Sequence, residues 1–169
     1  MGSANGAVLS ASITTPMIKT LDIVGVSTIQ VAKTVQKSPA AGSGAEQVQK
    51  CYHLRLVLAA SAVSSIDLSG SLEDVFGDAD VMTKVKGFII HNRSDEASPV
   101  STAQIAVTGN FLTSRYGASS SWTLDAGDFE AGSYTAVGKT VTNTSADTLT
   151  FTNNSGSEIA TVDIIILGV

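Results

Sequence analysis

The chain has 169 residues, a formal net charge of −5, 43% hydrophobic residues and 15% charged residues, which provides the apolar material for one core in a domain of roughly 120 residues. So low a charged fraction leaves a largely neutral surface, poorly protected against association, and predicts a chain that works inside an assembly with its faces covered. Residues 1–50 carry Lys19, Lys33, Lys37 and Lys50 against Asp22 and Glu46, about +2, so the remainder carries about −7; that excludes a nucleic-acid-binding body and leaves a weakly basic segment suited to an acidic protein surface.

Residues 1–17, with Gly2, Gly6, Pro16 and little periodicity, predict an irregular or extended segment. Residues 18–24 and 28–35 read as two short strand-prone stretches around Gly25, able to pair as a hairpin. Residues 38–45 read as a linker, with Pro39 and two glycines and no side chain large enough to anchor a core. The chain therefore divides into an extended N-terminal arm, residues 1–45, and a body, residues 46–169. An arm with strand-prone segments but too few apolar residues to close its own core is satisfied by adding to a neighbour. Its candidate partner-binding residues are Ile18, Leu21, Ile23, Ile29, Val31 and Val35.

In the body, residues 53–59 and 62–68 alternate apolar and polar and predict two strands. Residues 69–71 break the pattern, and 72–76 read as a short helical turn stopped by Gly77. Residues 84–92 alternate and then turn continuously apolar, as in a strand buried on both faces near the middle of its sheet. Further strands are predicted at 103–108, 122–124, 134–137, 149–152 and 159–167, separated by Gly, Asn and Ser clusters. That cadence predicts an all-β fold, a sandwich or barrel of about eight strands. The consecutive Ile164, Ile165, Ile166 and Leu167 would face both sides of the last strand. Its outer face must be covered by the arm, by a second sheet or by another subunit, which makes these four the candidate subunit-interface residues.

Motifs that carry chemistry are sparse. Cys51 is the single cysteine, which rules out an intrachain disulfide and a cysteine zinc site, and its place at a strand start predicts a small packed residue rather than a nucleophile. His53 and His91 lie at strand ends, and no Gly-x-Ser-x-Gly elbow or phosphate-binding Gly-rich Lys motif is present. Glu73, Glu96, Glu130 and Glu158 fall at loops or element ends, as solvated carboxylates do, and a 5% aromatic content argues against a sugar platform. Hard oxygen ligands for Ca2+ are available at Asp74, Asp78 and Asp80, or at Asp125 and Asp128, without the spacing of a helix-loop-helix site; no cofactor is expected. The Asn-x-Ser/Thr triplets at Asn92, Asn143 and Asn153 read as polar turns. No apolar run approaches the ~20 residues of a membrane span, and the start lacks a signal-peptide pattern, so a soluble chain without export signal is expected.

Three stretches carry a resemblance: Ile66-Asp67-Leu68 with Leu72-Glu73-Asp74 and Phe76-Gly77; residues 85–92; and residues 147–153 with Gly156-Ser157 and residues 160–168. Over about residues 50–169 the chain resembles the small jelly-roll capsid cement or decoration proteins, and related virion components, of tailed bacteriophages. The resemblance implies a jelly-roll-like antiparallel β-sandwich of about eight strands behind the extended arm. It implies a non-enzymatic viral structural protein that binds the major capsid protein lattice, self-associates as a homodimer or homotrimer, and bridges neighbouring capsomers against internal pressure. The protein would sit on the capsid exterior of the virion after synthesis in the host cytoplasm. Two alternatives stay open: a tail-fibre or receptor-binding tip, and a carbohydrate-binding β-sandwich module. A sole shell-forming coat protein would carry a more strongly basic arm.

Overall fold

The structure is a computed structural model that describes residues 9–20, 26–70, 72–73, 79–134 and 136–169. In chain order its strands are β1 (Leu9–Thr20), β2 (Val26–Lys37), β3 (Ala40–Ala41), β4 (Gln47–Val48), β5 (Lys50–Leu58), β6 (Val63–Asp67), β7 (Leu72–Glu73), β8 (Ala79–Asp80), β9 (Lys84–Asn92), β10 (Ile105–Thr108), β11 (Trp122–Leu124), β12 (Phe129–Ser133), β13 (Lys139–Thr140), β14 (Thr148–Asn153) and β15 (Ala160–Gly168). One helix, α1 (Asn110–Tyr116), follows β10, and a 3-10 turn spans Ser94–Glu96.

Two large antiparallel sheets make the body. One has the order β11-β10-β14-β6; the other has the order β12-β9-β15-β5, with β13 also on β9. The strands form because their apolar residues recur every second position. In β14, Leu149 and Phe151 point inward between half-exposed Thr148, Thr150 and Thr152, and in β15 Ala160, Val162, Ile164 and Ile166 point inward. Inward residues of both sheets, among them Ile66, Phe88, Ile90, Ile105, Val107 and Phe151, join one buried cluster, so the body is an all-β sandwich with its main core between the sheets. Each such fully buried aliphatic or aromatic side chain contributes about 1.5–3 kcal/mol.

Two buried asparagines hold strand ends together. Asn153 donates to the carbonyls of Leu58 (3.2 Å), Ala59 (3.0 Å) and Glu158 (2.8 Å) and accepts from the Ser155 N–H. Asn92 donates to the carbonyls of Ala103 (2.8 Å) and Leu124 (3.0 Å) while its oxygen accepts from Ser94. Both belong to the Asn-x-Ser/Thr triplets, and both act as internal latches between loops, since a buried amide is tolerated only when its hydrogen bonds are made.

Several elements differ from the sequence expectation. Strand β1 begins at Leu9, inside the stretch read as irregular or extended, and takes the extended form because its backbone is paired through twelve register positions with β2. Leu72 and Glu73 form a strand with β8 rather than the start of a helical turn: Leu72 is buried in the core, and pairing satisfies the backbone there. The strand expected at 134–137 lies earlier, at β12, with a turn at Ala136 and Val137. Gly132 makes that possible, because a Cβ at this position would lie 2.5 Å from the Tyr134 hydroxyl and 2.6 Å from the Phe88 ring. Helix α1 occupies a region read as turns. It buries Phe111 and Leu112, and the Asn110 amide at its start accepts from the N–H groups of Asp147 (2.8 Å) and Thr148 (2.6 Å). The two large sheets of the body hold nine strand segments where about eight were expected, and β3, β4, β7 and β8 add two short pairs among the described residues.

The segment read as a free linker is tied to the body. β3 pairs in parallel with β4, so the 45/46 boundary falls inside this pair, and the Gly44 carbonyl accepts from the buried Lys86 ammonium at 3.1 Å. Burial, and then the neighbouring Lys84, lower the Lys86 pKa.

Candidate interaction surface

The outer face of the five-stranded sheet is built by register. Arg55, Asp163, His91 and Phe129 lie in one row across β5, β15, β9 and β12; His53, Ile165, Ile89 and Ala131 lie in the next; Cys51, Leu167, Gly87 and Ser133 follow. Period two puts these positions opposite the core-facing Val162, Ile164 and Ile166. The third row is covered by the chain itself, for Val48 of β4 packs on Leu167 with Cys51 and Ile89 beside it. The other two rows are open: Ile165, Ile89 and His91 are half-buried, Ala131 is exposed, and Phe129 is 63% exposed with its ring edge-on to His91 at 6.5 Å.

The margin of this face is polar. Arg55 holds Asp163 with Nε to Oδ1 at 2.7 Å and Nη2 to Oδ2 at 3.0 Å, and Arg93 reaches Asp163 Oδ2 at 2.8 Å and Glu96 Oε2 through its Nε at 2.8 Å. The hydrogen bond from Arg55, aided by Arg93 and opposed by burial, lowers the Asp163 carboxyl to about 2. Exposed Asp95, Glu96, Asp125 and Asp128 cluster at the Phe129 end, where the Asp128 carbonyl accepts from the Asn92 N–H and Gly127 lies close to Asp95. Beyond Arg55, a groove of about 540 Å³ is lined by Val57, Pro99, Val100, Glu158 and Ile159. Val57, Val100 and Ile159 are exposed apolar residues.

The arm supplies a second surface. In the β1–β2 ribbon, Leu9, Ala11, Ile13, Thr15, Met17 and Lys19 are opposite Lys37, Val35, Lys33, Val31, Ile29 and Ser27, so these twelve positions share one face. The other face has Ser10, Ser12, Thr14, Pro16, Ile18 and Thr20 opposite Gln36, Thr34, Ala32, Gln30, Thr28 and Val26. The register thus separates an apolar face bearing Lys19, Lys33 and Lys37 from a neutral face without charge. Of the candidate arm residues, Ile29, Val31 and Val35 fall on the first face and Ile18 on the second. Leu21 and Ile23 lie outside the described residues.

The terminal-strand expectation is corrected in part. Ile164 and Ile166 are 0% and 1% exposed in the inter-sheet core, and Leu167 is buried under Val48, so these three are occupied within the chain. β15 is an inner strand, flanked by β5 and β9, which is why its run of aliphatics needs cover on both faces. Only Ile165 keeps an open position on the outer face. Sequence reasoning missed the other apolar residues of this face, Phe129, Ile89 and Val57. The signal for Ile89 was present in the continuous run of residues 88–90, but the pairing that sets Phe129 beside His91 is long-range.

Side chains weighed for chemistry serve local structure. Burial raises the pKa of the half-buried Cys51 thiol, which suits packing rather than nucleophilic attack. Glu158 accepts from the Thr102 N–H (3.1 Å) and hydroxyl (3.0 Å), and Asp125 accepts from Gln104 (2.7 Å) while its N–H donates to Asp128 (3.1 Å). Of the other Ca2+ candidates, Asp74 and Asp78 lie outside the described residues and Asp80 is in β8. No group of three His, Cys, Asp or Glu able to hold a metal ion occurs among the described residues. At one end of the sandwich an aromatic cluster forms: Trp122 stacks on Phe88 at 5.3 Å and meets Tyr116 edge-on at 5.3 Å, the Tyr116 and Tyr134 hydroxyls are 2.8 Å apart, and Arg115 lies over both tyrosine rings.

No protein-family model, curated protein or solved structure matches this chain.

Proposed function

We propose that this chain is a non-enzymatic virion structural protein, a capsid cement or decoration protein that self-associates and bridges neighbouring subunits of a major capsid protein lattice. One observation carries the reading. The body closes its own core, while the arm presents a two-faced ribbon of twelve register pairs that has no second layer of its own within the pairing described. Such a ribbon gains stability by joining another protein, and many copies on a lattice turn modest contacts into firm attachment. The fold reading is a jelly roll. The facing orders β5-β15-β9-β12 and β6-β14-β10-β11, in which the earliest and latest strands of each sheet (β5 with β15, β6 with β14) are neighbours, support two interlocked Greek keys. The protein would work on the capsid exterior.

The test is to mix purified full-length protein with undecorated tailed-phage capsids and sediment them. Stoichiometric co-sedimentation is the expected result, and a protein that stays in the supernatant overturns the reading. A second reading, a sugar-binding module or fibre tip, is favoured by the aromatic cluster, in which Tyr116 is 45% exposed beside Trp122 and Arg115. Glycan-dependent thermal stabilisation lost on Tyr116→Ala would support that reading instead.

A further inference from the structure

We propose that the open outer face of the five-stranded sheet is the seat of the β1–β2 ribbon of a second copy of this chain, packed through the ribbon's apolar, lysine-bearing face. This deepens the self-association in the reading above but rests on none of its statements about capsids.

The two surfaces match in kind. The sheet offers Ile89, Ile165, Ala131 and Phe129 in adjacent rows, and the ribbon face offers Ile13, Met17, Ile29, Val31 and Val35 at successive pairs. They match in charge as well. Lys19, Lys33 and Lys37 are the ribbon's only charged register positions, all on that face, whereas the Phe129 end of the sheet face carries exposed Asp95, Asp125 and Asp128, with Glu96 held by Arg93 and the exposed Arg55 at the opposite end of the row. Val48 of β4 already lies on Leu167 in the third row, so a ribbon on the first two rows extends an existing cover. That ribbon belongs to another copy. In the single chain Phe129 remains 63% exposed and Ala131 exposed, so the cover stops at Val48.

The experiment uses the full-length chain without particles. Light scattering after size exclusion should give a dimer or larger species. Val31→Glu on the ribbon and Phe129→Glu on the sheet should each weaken association about tenfold or more, because each sets a buried charge in the apolar centre of the contact. Thr34→Glu, on the neutral ribbon face, should leave the mass unchanged. In a Cys51→Ser background, differently tagged chains carrying Val31→Cys and Ala131→Cys should cross-link to each other on oxidation. A monomeric wild type, or an unchanged mass for both Glu variants, overturns the proposal. So does a cross-link formed only within a chain carrying both new cysteines, which would seat the ribbon on its own body. A chain that associates as described but ignores capsids overturns the cement reading alone; a chain that decorates capsids as a monomer overturns this proposal alone.

Discussion

The body and the arm are made of the same secondary structure and obey the same two-residue period, yet they end in different physical conditions. In the body, every inward row meets a second sheet, and the side chains of Phe151, Val107 and Ile164 reach 0% exposure. The described pairing of the arm is the single layer of β1 on β2, with no second sheet in that register. Period two makes strands, but only a second layer makes a stable sheet; a β-rich segment without one is a surface open to a partner.

Damage to each region in turn, read as body stability, separates the two. Phe151→Ala should destabilise by about 3–5 kcal/mol in equilibrium denaturant unfolding, since it removes a fully buried ring and leaves a cavity. Thr34→Glu in the arm, on the neutral ribbon face, should move the same transition by less than about 0.5 kcal/mol. An arm substitution that unfolds the body would show that the two regions share one cooperative core.

The buried amides come next. Asn153→Ala leaves the carbonyls of Leu58, Ala59 and Glu158 without their donor and should cost about 2–3 kcal/mol, read as a lowered denaturant midpoint. A variant as stable as the parent would mean that water replaces the latch.

The smallest effect is electrostatic. The Asp163 pKa lies below that of an unfolded carboxyl, so its contribution is present above the unfolded value near pH 4 and is lost as pH falls toward about 2. Asp163→Asn should therefore reduce stability by about 1–2 kcal/mol at neutral pH and flatten the pH dependence between pH 4 and 2. A pH profile unchanged by the substitution would dissociate the Arg55–Asp163–Arg93 cluster from stability.

Much of the body was legible in the sequence because its signals are local. The alternation in residues 149–152 and 160–167 and the continuous run in 88–90 predict β14, β15 and β9 and their burial from adjacent residues alone. Strand β12 was placed wrongly because Phe129-Glu130-Ala131-Gly132-Ser133 has weak strand propensity; it pairs with β9 across some forty residues, and Gly132 is required there by contact with Phe88 rather than by any turn. Helix α1 is seven residues long and is held by the Asn110 amide on β14, a contact with no sequence-local trace. The arm's hairpin was readable around Gly25, but the collection of its lysines on one face follows from the register of Leu9 against Lys37, which the sequence does not state.

Composition and period determined that this protein is all-β, neutral-surfaced and acidic in the body, because burial and alternation are summed over neighbours in the chain. Only the tertiary structure decided which rows are closed and which are open. Ile164 and Ile165 are adjacent and chemically alike, and one lies in the core while the other faces out, because strand order and register, set by contacts far apart in the chain, choose the face that meets the second sheet.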